Sequence, residues 1–217
     1  MSSAPGILAR GPWQAAQVAA TWRDDSFVAD SERSAAADAA IAALADRGSP
    51  THDGLAARLA GWSEDGEGLA LELQPMRWAL RLLSDGAADA LSVLCVVRDA
   101  EGRWLAGRRA DWVATWAGRW ALGAGGAVEV GEDPVTSLTR ELEEEWGVQP
   151  ERLAVEALVR APSGMAMLVG QAWLGGDAEV TRDHEHDAHA WWPADVDEWP
   201  EDAHPALSMM ARLLDAR

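Results

Sequence analysis

Four of the five residues from Glu141 to Glu145 are glutamates. On a helix, Glu141, Glu144 and Glu145 stand at i, i+3 and i+4, so their carboxylates gather on one face. Like charges at that spacing destabilise an isolated helix, and the C-terminal end of a helix also disfavours anions. A divalent cation resolves the conflict, because hard oxygen donors on one rigid face suit Mg²⁺ or Mn²⁺. The rival reading is a solvated acidic face with no ligand, which is the usual fate of a charge run. The surroundings favour the cation. Gly125 and Gly126 end a strand and let backbone approach a ligand closely. Glu132 stands just before the helix, near its positive end. Arg140 is the only base between Glu129 and Glu145. It can pair with Glu132 across the loop and with Glu144 one turn on.

The helix itself is predicted over residues 134–146. Asp133 can cap it, Pro134 suits its first turn, and Gly147 suits the position just past its end. Val135, Leu138, Leu142 and Trp146 share the face that would pack on a sheet.

The spacing is specific. Gly126, five residues, Glu132, seven residues, then Arg140-Glu141-Leu142-x-Glu144-Glu145-x-Gly147-Val148 resembles the complete Nudix box. The resemblance implies a Nudix-type α/β/α sandwich with a mixed sheet. It also implies a hydrolase that cleaves the pyrophosphate of a small nucleoside-diphosphate derivative, such as ADP-ribose or a sugar nucleotide, with Mg²⁺ or Mn²⁺. Carried over by residue, Glu141 and Glu145 become metal ligands, and Glu144 a ligand or the general base. Arg140 and Glu132 brace the loop against the helix. The backbone at Gly125 or Gly126 approaches metal and substrate. Arg108 and Arg109 end a strand that would run beside the substrate cleft, where one could hold a phosphate, and Arg160 sits similarly at a strand end. Glu185 lies in the loop before the last strand, which often supplies an extra acid or base. Ala124-Gly125-Gly126 stands where many members have Pro-Gly-Gly. It looks more like the isopentenyl-diphosphate-isomerase relatives, although those use a cysteine in a different context from Cys95. A non-catalytic binding or regulatory module of the same fold is the other alternative.

The elements that would position these residues follow from periodicity. "ALSVLCVVRD" reads as a buried strand that turns at "AEG" into "RWLAGRR"; "ADWVATWAG" is a loop and "RWALGAGG" a strand ending in glycines. "LAVEALVRA" and "AMLVGQAWLG" form a second strand pair. An acidic loop, a short strand and an amphipathic helix, "PALSMMARLLDAR", close the chain. Upstream, "DSERSAAADAAIAALADRG" reads as a helix capped by Asp30 or Ser31 and stopped at Gly48. "THDGLAARLAGW" and "GLALELQP" read as two strands with a turn between them. "MRWALRLL" fits strand and helix alike. A boundary is expected near residue 86, with 1–85 a helix-and-strand extension and 86–217 the hydrolase domain. The extension could be integral to the fold, a lid or a homodimer surface.

Composition bounds the partners. The chain has 217 residues and a formal net charge of −18, which argues against nucleic acid and anionic membranes as partners. A small phosphorylated substrate stays compatible, since a bound cation supplies local positive charge. One cysteine, Cys95 in an apolar run, excludes an internal disulfide and reads as a core thiol. The start has no apolar stretch of signal-peptide length, and a cytoplasmic location is expected. His184, His186 and His189 are irregularly spaced for a zinc site. With 13 Trp in the chain, packing is the default role for Trp112 and Trp116, although either could stack on a base.

Overall fold

The computed structural model describes residues 6–49, 53–83, 87–113 and 115–215. At its centre is β5 (Leu91–Arg98), the apolar run that contains Cys95. Leu91, Val93, Cys95 and Val97 enter one apolar cluster and Val96 enters another, so the strand is buried on both faces. It pairs in parallel with β10 (Ala166–Trp173), which pairs antiparallel with β9 (Arg152–Arg160). On its other edge, β5 meets β6 (Trp104–Arg109) only at Arg98 and Trp104. β8 (Ala124–Ala127) takes the positions opposite Ser92 to Cys95. β7 (Trp120–Leu122) pairs with β6 instead, and β11 (His186–Trp192) covers the far edge of β6. β1 (Gly6–Trp13) completes this mixed, eight-stranded sheet beside β9.

Helices close both faces. α2 (Pro134–Trp146) buries Leu138, Leu142 and Trp146 completely in the cluster that holds Leu91, Val93 and Cys95. α3 (Pro205–Asp215) sets Leu207, Ala211 and Leu214 in the cluster of the opposite face. The result is the expected α/β/α sandwich with a mixed sheet. α2 has the predicted limits because its signals are local: Asp133 accepts the N–H of Val135, and Gly147 adopts a left-handed conformation.

The upstream residues add α1 (Ser31–Asp46), capped by Asp30, and a second sheet in the order β2-β4-β3. β3 (Leu55–Glu64) and β4 (Leu69–Arg77) form the expected hairpin, and β2 (Val18–Trp22) lies parallel to β4. Leu59, Leu69, Leu71 and Leu73 share the α2 cluster, so this small sheet packs into the main core. The ambiguous "MRWALRLL" divides: Met76 and Arg77 end β4, and Trp78–Leu82 is a 3₁₀ helix against which Ala37 of α1 packs. The boundary expected near residue 86 lies outside the described residues. No helix among the described residues is long and apolar enough to cross a membrane.

Two expectations are corrected. Neither β1 nor β2 was expected, because few of their residues are buried: only Ala9 and Trp13 in β1, and Val18 in β2. "RWALGAGG" is two strands. The break falls at Gly123, which adopts φ +63° and lies so close to β5 that a Cβ there would stand 1.8 Å from the Cys95 carbonyl oxygen. This break sends β7 to one neighbour and β8 to another, and opens the sheet beside the glycines of the site. Gly123→Ala should therefore cost about 1–3 kcal/mol from its backbone conformation alone, with the clash added to that. Chemical denaturation should show a loss at least that large.

Candidate active site

Arg140 organises the acids of α2. Its Nε and Nη2 donate to Glu132 at 2.9 and 3.1 Å, and its Nη1 donates to Glu141 at 2.9 Å and Glu144 at 3.0 Å. Nη2 also reaches the Ala127 carbonyl at 3.2 Å, so one guanidinium ties the loop to the helix. The pairing expected between Arg140, Glu132 and Glu144 is present. Ser137 was missed: it is fully buried, and its hydroxyl donates to Glu132 at 2.6 Å. Its position on the helix side facing the loop was the available signal. Burial alone would raise the Glu132 carboxyl, but the bonds from Arg140 and Ser137 outweigh it and hold the group below the usual range.

Glu141 and Glu145 are both buried. The Glu141 carboxylate lies against Gly126, where an added Cβ would stand 2.1 Å from its Oε1. Only glycine leaves room for it. Burial raises the Glu141 carboxyl, with Arg140 opposing. Glu145 accepts the Gly125 N–H at 2.9 Å and lies 3.9 Å from Arg109 Nη1. Burial pushes its carboxyl up to about 8 against both of these. Glu144 is exposed at the rim, and Glu143 faces solvent, where it accepts a bond from Gln149 at 2.5 Å.

The second arginine joins distant segments. Arg109 ends β6 and forms an ion pair with Glu185 at 2.9 Å, which brings the loop before β11 to the same carboxylates. Arg108 points elsewhere and pairs with Asp187 at the surface. Arg160 is held by Asp89 and the Gly164 carbonyl and is not gathered with the α2 acids. The three histidines do not converge. His184 stacks on Trp112, and His189 meets the edge of Trp146. His186 is buried, with Nδ1 3.1 Å from Asp183 and Nε2 3.7 Å from Glu145. Burial lowers its pKa, so it stands neutral beside the acid. Trp116 is exposed and edge-on to His204.

Among the described residues, no three His, Cys, Asp or Glu side chains already form a metal-binding group. Arginine nitrogens now occupy the positions facing Glu141, Glu144 and Glu145. The donors still fit a hard divalent cation. They are all oxygen, two of them are buried where the charged form is disfavoured, and Gly126 leaves the backbone bare beside them.

Fold and site together define an α/β/α sandwich whose acidic helix is met by arginines from its own turn and from β6. A family model described as NUDIX domain matches residues 89–212, more than half of the chain. The chain belongs to the Nudix family, a family of hydrolases. No curated protein matches it. Similar solved structures include a MutT protein from Methanosarcina mazei, 22% identical over 59% of this chain and 96% of that one, with a TM-score of 0.46. The NUDIX domain of Shewanella oneidensis NrtR, solved with ADP-ribose, is 20% identical over 58% of this chain and 86% of its own, with a TM-score of 0.47. A MutT NUDIX hydrolase from Burkholderia pseudomallei is 23% identical over 58% and 97%, again with a TM-score of 0.47.

Two outcomes follow from these environments. Arg140→Ala leaves Glu132 and Glu141 without their cation and should destabilise the chain by about 1–3 kcal/mol in denaturant titration. The pH dependence has a definite sign. With its carboxyl raised to about 8, folded Glu145 keeps a proton that the unfolded chain releases near the ordinary value of about 4.3. Stability is therefore lost as pH rises through that window. The melting midpoint in EDTA should fall from about pH 5 to about pH 8, and saturating Mg²⁺ at the upper end should restore it, because the cation favours the ionised form. A midpoint flat with pH and indifferent to Mg²⁺ would contradict the assignment.

Proposed function

We propose that this chain is a divalent-metal-dependent pyrophosphohydrolase acting on a small nucleoside-diphosphate derivative. The observation that carries the reading is the pair of buried carboxylates, Glu141 and Glu145, set against the bare backbone of Gly125 and Gly126, with burial raising both acids. Burial disfavours the anionic form of both acids, and a bound cation would favour it. Glu141 and Glu145 would hold Mg²⁺ or Mn²⁺, with Glu144 at the rim as a further ligand. When bound, such an ion neutralises charge developing on phosphoryl oxygens and lowers the pKa of water.

The chain's own groups do the rest. Glu144, exposed and paired with Arg140 at 3.0 Å, would accept a proton from the attacking water. Glu185 is the other candidate, since it reaches the same cluster through Arg109. Arg140, Glu132 and Ser137 fix the loop–helix geometry. Arg109 is the better placed of the two neighbouring arginines to meet a phosphate, because it already faces the acids, while Arg108 is turned to Asp187. The backbone of Gly125 and Gly126 lets the substrate approach. The acidic surface favours small phosphorylated partners over nucleic acid. We further propose that residues 1–85 are integral to the fold, because β1 pairs with β9 and the small sheet shares the main core.

The isomerase alternative would draw on a cysteine. Cys95 is fully buried, and burial pushes its thiol up to about 12, which suits packing and not reactivity. A binding module without turnover would have no need for this complete set of glutamates.

Formation of nucleoside monophosphate from a panel of ADP-ribose, sugar nucleotides and nucleoside triphosphates with Mg²⁺, read by chromatography, tests the reading. Glu145→Gln should cut turnover by orders of magnitude while the fold persists by circular dichroism. Glu143→Gln, on the solvent side of the same helix, should be nearly silent. The reverse pattern would overturn the roles assigned along α2.

A further inference from the structure

Arg81 lies upstream of the family match, on the 3₁₀ helix Trp78–Leu82. The chain is rich in acid, with 36 Asp and Glu against 18 basic residues, all of them arginine. Its inward arginines are ordinarily paired: Arg58 and Arg160 with Asp89, Arg98 with Asp215. Arg81 differs. No carboxylate lies within ion-pair distance of it among the described residues. Its one hydrogen bond runs from Nη2 to the Ser92 hydroxyl at 3.0 Å. The guanidinium lies 5.4 Å from the centre of the Trp78 ring. Burial depresses its pKa, with the field of Glu141 opposing. Yet the side chain keeps intermediate exposure, and its other nitrogens are not among the buried, unsatisfied atoms. The guanidinium is thus half-buried, and its nitrogens other than Nη2 are open to solvent.

The position of Arg81 matters. Ser92 sits on β5 opposite Ala127, one residue from the Gly126 that receives the Glu141 carboxylate. Met165 adds an apolar wall, its sulfur 3.2 Å from the Ser92 hydroxyl. A desolvated cation without a counter-charge is costly unless an anion completes it. We infer that Arg81, oriented by Ser92, forms an anion subsite that takes a phosphate group of the substrate. The inference rests on the hydrolase reading above and deepens it: the residues before the matched domain supply part of substrate recognition. Arginine suits this task because its planar fork can donate two parallel bonds to one phosphate.

The test uses the full chain with Mg²⁺ and α,β-methylene ADP-ribose, whose P–C–P bridge resists hydrolysis, read by calorimetry beside hydrolysis of ADP-ribose. Arg81→Met should weaken analogue binding at least tenfold and lower kcat/KM, with most of the loss in KM. Arg81→Lys should recover part of the affinity, and Ser92→Ala should lose less than Arg81→Met. The melting midpoint of Arg81→Met should hold or rise, since an uncompensated cation is removed. Unchanged analogue affinity in Arg81→Met overturns the subsite, as does failure of the unmodified chain to bind the analogue. An affinity loss matched by a lower midpoint, with lysine no better than methionine, makes Arg81 a packing residue and overturns it too. Arg81-dependent binding without any hydrolysis would leave the subsite standing and remove the hydrolase reading. Hydrolysis with binding indifferent to Arg81 would do the opposite.

Discussion

One guanidinium holds the acidic helix together. Arg140 meets Glu132, Glu141, Glu144 and the Ala127 carbonyl with a single planar group. Four acids in five residues would otherwise repel, and near the end of a helix they would repel against an unfavourable dipole. Arginine solves this where lysine would not, because its five N–H donors lie in fixed directions and can serve several oxygens at once. The same bonds tie the loop between Ala127 and Glu132 to the helix, so electrostatic relief and loop geometry are one interaction. Ser137 completes it from inside the helix. Pairing of β8 with β5 sets Gly126 in position, and Gly126 in turn makes room for Glu141.

A second arginine extends this logic to residues far apart in sequence. Arg109 lies against Glu145 and Glu185, and its place is fixed by the pairing of β6 with β11, where Arg109 is opposite His186. Gly107 lets Trp146 and His186 pack directly over β6, since a Cβ there would stand 2.4 Å from the imidazole. The acids thus divide into two groups, each with its own cation. Glu145 remains the costliest member. It is enclosed and only loosely paired, and the N–H of Gly125 is its one close donor. Sites that break local rules in this way concentrate where function requires it.

How much of this was legible in the sequence depended on how local the signals were. The limits of α2, its cap and the Arg140–Glu132 pair follow from residues within one loop and one helix, and the sequence reading placed them. The strands from β5 to β11 were readable because alternation and apolar runs report burial directly. β1 and β2 were not, because their stability comes from partners far along the chain, β9 and β4, and not from their own patterning. The break at Gly123 was invisible for a related reason. It is dictated by how closely β5 passes, which no run of seven or eight residues encodes. Arg108 and Arg109 looked equivalent in sequence. Alternation along β6, and the residues facing it from β11, sent one to Asp187 and the other to the acids.

The same non-locality explains why charges at the site are shared across the whole chain. A cluster of buried carboxylates cannot be neutralised by its own helix, which offers only Arg140. Further cations must come from other elements, and their spacing in sequence is then unconstrained. Arg109 arrives from a strand edge. Arg81 arrives from a segment beyond the family match, carried there because β4 joins the main core and its 3₁₀ continuation packs on α1. The two cations differ in what they face: Arg109 is satisfied by acids of the protein, whereas Arg81 has only a hydroxyl. An ion pair that is complete within the protein contributes order. A cation left with a hydroxyl retains a preference for an outside anion. In a chain of net charge −18, that preference is local to Arg81, because the acidic surface as a whole repels the same anion.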